Sequence, residues 1–148
     1  MPKPAAPSRR RGSAVVEFAL SSTVLFMLLA GVADLTRMFY YARIVTNAAR
    51  AGVQYGIYSN THWTDYTGMQ NAATASAGNA NGLTANATSF CQCPGSSSTV
   101  SCASTCAGST TPKEYVQVTT LYPFAAVVIW PRMPSSFNIS YTDTMRVQ

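Results

Sequence analysis

The chain has 148 residues, and only 10% of them are charged, against roughly 25% in average soluble domains. The formal net charge is +5, but four basic residues lie among the first twelve, so residues 13–148 carry only +1 (5 − 4). A nucleic-acid-binding protein would spread its basic residues over a folded face. We therefore predict no nucleic-acid partner, and one modest domain with an additional N-terminal segment.

Residues 1–12 form a basic, proline-rich leader, and residues 13–33 are a nearly uncharged run of membrane length. As a helix, the twenty residues from Ala14 to Ala33 would span about 30 Å, the thickness of a bilayer's hydrocarbon core. Basic residues before the run predict a single-pass protein with a cytoplasmic N-terminus and an exported C-terminal part. A buried core helix and a secretory signal peptide cleaved near Ala33 are the alternatives.

Residues 34–58 continue the helix with an amphipathic pattern. Small and apolar residues recur every three or four positions, at Met38, Ala42, Val45, Ala49, Gly52 and Gly56. We therefore predict one unbroken helix from about Ser13 to Tyr58. The small residues allow close approach of another element, either the protein's own sheet or a neighbouring filament subunit.

Residues 59–148 predict a small exported α+β domain. The predicted elements are a helix at 65–77, capped by Asp65 or Thr64, and strands at 84–93, 114–122 and 137–147. The prolines of segment 123–134 predict a connection and exclude a regular strand. Trp130 in this segment is either an exposed anchor for a partner or a membrane interface, or a buried side chain. The predicted fold class is α+β, with the long helix packed on a small antiparallel sheet.

All four cysteines lie in the predicted loop 91–106, at Cys91, Cys93, Cys102 and Cys106. Disulfides are the default in an exported domain. Zinc and free thiols are alternatives, although the C-x-C spacing suits a zinc site poorly. Three pairings are possible, and a hairpin would favour the nested one, 91–106 with 93–102.

The exported part offers little for catalysis. It has one histidine, His62, expected on the surface beyond the helix end, and four widely separated acids. It lacks the sequence motifs of common hydrolases, zinc enzymes and nucleotide-binding enzymes. We therefore predict that the protein is not an enzyme and has no catalytic residues, no cofactor, no metal and no small-molecule substrate.

The stretch RRRGSAVVEFAL, residues 9–20, resembles the cleavage and assembly motif of type IV prepilins. The resemblance implies that a prepilin peptidase cuts between Gly12 and Ser13. It also implies that Glu17, followed by Phe18, neutralises the new N-terminal ammonium of a neighbouring subunit. A carboxylate in an apolar span costs on the order of 2.5–3.5 kcal/mol, which favours a function for Glu17 over a merely hydrated interfacial position.

Residues 9–58 as a whole resemble the TadE-like family, the minor pilins or pseudopilins of tight-adherence (Flp) type IV pilus systems. Besides the EFAL start, the residues that carry the resemblance include Asp34, Arg37, Asn47, Arg50 and Gly52. The resemblance implies a pilin-like fold and a bacterial inner-membrane protein whose exported domain lies in the periplasm or in an extracellular pilus. The implied partners are the prepilin peptidase, other pilin or pseudopilin subunits and the inner membrane, in cell adhesion or secretion.

The large exported part favours a minor over a major subunit. An unprocessed, membrane-anchored envelope binding protein is the alternative function. The mature N-terminus separates these readings: Ser13 indicates a processed pilin, Met1 or Pro2 an unprocessed anchor, and Asp34 a secreted protein.

Overall fold

The computed structural model describes residues 11–59, 61–78, 80–128, 132 and 134–147. Most of the predicted leader, and Trp130, therefore lie outside the described residues. The elements are α1 (Arg11–Ile57), α2 (Tyr66–Ser76), β1 (Thr84–Gln92), β2 (Thr99–Val100), β3 (Lys113–Ala125) and β4 (Ser136–Arg146). This arrangement confirms the predicted α+β, pilin-like fold, a long N-terminal helix followed by a small antiparallel sheet.

Helix α1 is continuous over 47 residues, a length of about 70 Å. Its sequence contains no proline, so every backbone N–H inside it can join the helical hydrogen-bond ladder. No residue from 12 to 33 is buried, and the first buried residue is Asp34. From there on, one side of the helix packs against the rest of the chain.

The four strands form an antiparallel sheet in the order β2-β1-β3-β4. In the central strand β3, Val116, Val118 and Thr120 are fully buried, whereas Gln117 and Thr119 between them point away from the helices. The alternation predicted for this strand is therefore correct. One face of the sheet carries the core, and the opposite face is polar.

The core lies between this sheet face and the two helices. Its buried residues are Val53, Met69, Ala73, Ala87, Val116, Val118 and Val147. The hydroxyl of Thr120 donates a hydrogen bond of 2.8 Å to the carbonyl oxygen of Val45, so the one buried polar side chain of β3 is satisfied. Val45, Ala49, Gly52 and Gly56 are buried, so the small-residue stripe of α1 packs on the protein's own sheet and α2.

Helix α2 begins where the sequence predicts it. Asp65 is its N-cap, and Oδ1 of Asp65 accepts a hydrogen bond of 2.9 Å from the backbone N–H of Gly68. Such a cap satisfies one of the free N–H groups of the first helical turn.

The prediction that Pro123 excludes a strand is wrong, because β3 continues through Pro123 to Ala125. Strand β1 begins at Thr84, opposite Leu121, so from Tyr122 onwards β3 pairs with β4 alone. A proline is tolerated there because one side of the strand needs no ladder hydrogen bond.

Candidate functional site

The residues of the predicted processing and assembly motif lie on the exposed first half of α1. Gly12, Ser13, Glu17 and Phe18 are all exposed, and the Phe18 side chain is 74% exposed. Among the described residues, no hydrogen bond or ion pair involves the Glu17 carboxylate. The structure thus places this motif on one helix end without a structural role in the fold.

The rest of this half is equally uncovered. Exposed apolar side chains surround the helix, including Val15, Leu20, Val24, Phe26, Leu28 and Val32. Helix α1 is the one helix among the described residues that is long and apolar enough to cross a membrane, and none of its most apolar stretch is buried. A helix that is apolar all round requires an apolar environment.

Asp34 marks the point where the folded domain begins to cover α1. Its Oδ1 and Oδ2 accept hydrogen bonds of 3.0 Å from the backbone N–H groups of Val127 and Val128, more than 90 residues later in the chain. These N–H groups, aided by the charge of Arg37, hold the pKa of Asp34 below its usual value, although burial opposes the shift. The carboxylate therefore fastens the segment after β3 to the helix.

Arg37 supports the same contact. Its guanidinium lies 3.3 Å from Oδ1 of Asp34 and stands over the ring of Phe124, 5.5 Å from the ring centroid. A mostly apolar cavity of about 300 Å³ adjoins this cluster, lined by Gly31, Asp34, Leu35, Met38, Phe124, Ala126, Pro134 and Phe137. Asp34 and Arg37 are thus both part of the contact between α1 and the folded domain.

Gly52 allows close packing of α1 on the domain. A Cβ at this position would stand 2.9 Å from the carbonyl oxygen of Met69, 3.0 Å from Cγ1 of Val118 and 3.2 Å from Cβ of Ala73. Because these three atoms belong to the backbone or to short side chains of α2 and β3, a larger residue has no free space. Gly52 is therefore a packing residue.

Asn47 and Arg50 differ from the other residues that carry the predicted resemblance. Both side chains are exposed on the side of α1 that faces away from the sheet, together with Arg43. A shallow groove of about 330 Å³ runs along this side. Asp34, Arg37 and Gly52 hold the fold together, whereas Asn47 and Arg50 are not needed for it.

Residues 12–54 match the TadE-like protein family. The predicted resemblance is thereby confirmed for the helix that carries it. No curated protein and no solved structure matches the chain significantly. TadE-like proteins are a structural family associated with the Tad pilus, and the matched region has the apolar N-terminal helix of that family.

Outside the matched region, two disulfides join the four cysteines, Cys91 to Cys102 and Cys93 to Cys106. The nested pairing predicted for a hairpin is wrong, because the pairs cross. Strand β2 pairs only with the end of β1, with Val100 opposite Cys91. Cys102 follows Val100 by two residues and so lies near Cys91. Cys93 has already left the ladder, which leaves it to pair with Cys106.

A second cluster, at the end of α1, was not predicted. The hydroxyl of Tyr55 donates a hydrogen bond of 2.8 Å to Oδ2 of Asp65. The Tyr55 ring stacks on His62, with 4.5 Å between the ring centroids. His62 is therefore half-buried and not the surface residue that the sequence predicts. Spacing alone could not reveal this cluster, although an aromatic residue near a helix-capping Asp is a usable signal.

The hydrogen bonds of this cluster shift the pKa values of both Asp65 and Tyr55. The N–H of Gly68, and next the hydroxyl of Tyr55, lower the pKa of Asp65. The same bond raises the pKa of Tyr55, because the phenol must stay protonated to donate to a carboxylate. In the described part of the chain, no three His, Cys, Asp or Glu side chains converge on a point where a metal ion would bind. The cluster acts on stability by joining the end of α1 to the start of α2.

Proposed function

We propose that this chain is a minor pilin or pseudopilin-like structural subunit of a Tad (Flp) type IV pilus or related secretion apparatus. In this proposal residues 13–33 anchor it in the bacterial inner membrane, with the N-terminus in the cytoplasm and the domain exported. The observation that carries the proposal is the match of residues 12–54 to the TadE-like family on a helix whose apolar first half contains no buried residue. An uncovered apolar half suits a bilayer first and a bundle of subunit helices later.

A prepilin peptidase would cut between Gly12 and Ser13 and create an α-ammonium group at Ser13. Glu17 is exposed one turn further on and has no partner among the described residues. A charge-assisted hydrogen bond between Glu17 and the Ser13 ammonium of a neighbouring subunit would satisfy both groups in an environment without water. The partners are therefore the peptidase and other pilin or pseudopilin subunits.

The test of processing is the mature N-terminus. Protein extracted from membranes of cells with an active prepilin peptidase should begin at Ser13 by intact mass and N-terminal sequencing. Gly12→Val should accumulate a precursor about twelve residues heavier, while Ser8→Val, in the same leader, should be cleaved normally. Wild-type protein that begins at Met1 or Pro2 would instead favour the unprocessed envelope binding protein, and Asp34 a secreted protein.

The test of assembly is Glu17→Gln. Loss of a charge makes the segment more apolar, so insertion and cleavage should be retained. The variant should fail to co-purify with other pilus subunits or to support piliation, whereas Thr23→Val, an isosteric change in the same half, should assemble. Normal piliation by Glu17→Gln would mean that the carboxylate is only a hydrated interfacial residue.

A further inference from the structure

The second half of α1 has an outward side that the fold does not use. Six residues on this side of the helix line its shallow groove: Phe39, Ala42, Arg43, Thr46, Asn47 and Arg50. We name these six residues the cationic stripe. Phe39 is 62% exposed, and both arginines are exposed. Within the described residues, neither arginine forms an ion pair.

The shape of the cationic stripe suits another helix. Its residues follow the i, i+3, i+4, i+7 spacing of one side of a helix, where rows of side chains form ridges and a second helix packs into the grooves between them. Ala42 and Thr46 are short and lie in the middle of the row, so a partner backbone can approach there. Phe39 at one end offers an apolar contact for the partner.

The charge of the stripe excludes a second copy aligned alongside. Residues 35–57 contain three arginines and no aspartate or glutamate. A parallel second α1 would set arginines against arginines, and like charges across an interface oppose association. We propose that the cationic stripe docks an acidic amphipathic helix of a different pilus subunit, with carboxylates about seven residues apart that meet Arg43 and Arg50. This inference rests on the proposed function, whose partner it specifies.

The position of the stripe along α1 supports a protein partner. Glu17 and Thr46 are 29 positions apart (46 − 17), which is about eight helical turns, so both lie on about the same side of the helix. A neighbour that reaches Glu17 therefore also runs along the stripe. Anionic lipid is a poorer fit, because Arg50 lies about 24 Å along the helix beyond Asp34, further than the roughly 5–7 Å headgroup layer extends.

The test uses the full chain in detergent micelles and three designed helical peptides. The first peptide carries glutamates seven residues apart on one side, the second has lysines in their place, and the third has the same glutamates distributed around the helix. Fluorescence anisotropy should show that wild type binds the first peptide at least tenfold more tightly than the other two. Arg43→Glu/Arg50→Glu should reverse the preference between the first two peptides. The matched control is Lys113→Glu/Arg146→Glu, which changes net charge equally on the sheet and should bind as wild type does.

Equal binding of the three peptides, or an equal loss in the control variant, would overturn the proposal, and so would binding of anionic vesicles that depends on Arg43 and Arg50. In cells, Arg43→Glu/Arg50→Glu should be cleaved after Gly12 and inserted, yet fail to support piliation. Normal piliation by this variant refutes the docking site and leaves the proposed function standing. Retention of the leader by wild type refutes the proposed function itself, while the peptide measurements still decide the charge and helix preference of the stripe.

Discussion

In the first half of α1, residues 12–33, apolar side chains surround the helix and none is buried, whereas in the second half, residues 34–57, small and apolar side chains occupy one side and are covered by α2 and the sheet. The backbone is helical throughout. The difference shows that the surroundings required by each half are set by how apolar residues are distributed around the helix, not by helix propensity. The boundary falls at Asp34, whose carboxylate accepts hydrogen bonds from the segment after β3 and holds it against the helix.

The largest effect is expected when the first half of α1 is removed. Residues 34–148, exported behind a cleavable signal sequence, should fold and move from the membrane fraction to the soluble fraction, because the first half contributes no buried residue to the core. Fractionation and circular dichroism would check this. A truncated domain that unfolds or stays in the membrane would show that the two halves depend on each other.

A matched pair of methionines tests the two environments directly. Met69 is fully buried and Met27 is 62% exposed. Met69→Ala should lower the free energy of unfolding of the exported domain by about 2–5 kcal/mol, because it leaves a cavity in the core. Met27→Ala should change it by less than about 0.5 kcal/mol. Thermal unfolding in detergent measures both, and similar losses would contradict the proposed division of α1.

A matched pair of glycines tests how tightly the second half is packed. Gly52→Ala should lower the free energy of unfolding by about 1–3 kcal/mol, because the added methyl meets Met69, Val118 and Ala73 at close range. Gly12→Ala meets nothing within 4 Å and should leave the domain's stability unchanged. Chemical denaturation would measure the difference, and a stabilised Gly52→Ala would show that the helix can move away from the sheet.

The smallest expected effect is on the pH dependence of stability. It distinguishes Asp65 in the folded domain from Glu17 in the first half of α1. The pKa of Asp65 in the folded chain is held below its usual value, first by the N–H of Gly68 and then by the hydroxyl of Tyr55. The stability it contributes is therefore fully present above about pH 4 and lost as the pH falls through its folded-state pKa. Asp65→Asn should have a lower Tm at neutral pH and a shallower fall in acid.

Asp34 shifts in the same direction, so part of the acid sensitivity should remain in that variant. Glu17→Gln is the control, since its carboxylate makes no hydrogen bond or ion pair within the described residues. Its Tm should follow the wild-type pH profile. Identical profiles for Asp65→Asn and wild type would contradict the role given to the Asp65 cap.

Local patterns predicted the elements well because their causes are local. The cap of α2, the alternation of β3 and the small-residue stripe of α1 each depend on residues within a few positions of one another. The prediction for Pro123 was wrong because a proline fits in β3 only beyond the point where β1 begins, and that point is a property of the sheet. Sequence spacing alone does not reveal the length of a partner strand.

The parts that were not predicted depend on contacts between distant segments. Asp34 accepts hydrogen bonds from N–H groups more than 90 residues away, so the family resemblance indicated the residue but not its partner. The crossed disulfides follow from the register of a two-residue strand. The Tyr55–Asp65 hydrogen bond depends on the turn that follows α1. In each case the residue types were visible and the three-dimensional neighbour was not.

Because α1 is one continuous helix, the angle around its axis between any two of its residues is fixed by the number of residues that separate them. One residue inserted into it would turn everything beyond the insertion by about 100° and displace it by about 1.5 Å. An insertion near Ala33 would leave the contact of Asp34 with Val127 and Val128 and the core intact. It would still change the direction in which the domain faces relative to the Glu17 side chain. Because α1 has no break from Arg11 to Ile57, the direction in which the domain faces is determined by the number of residues between its two ends.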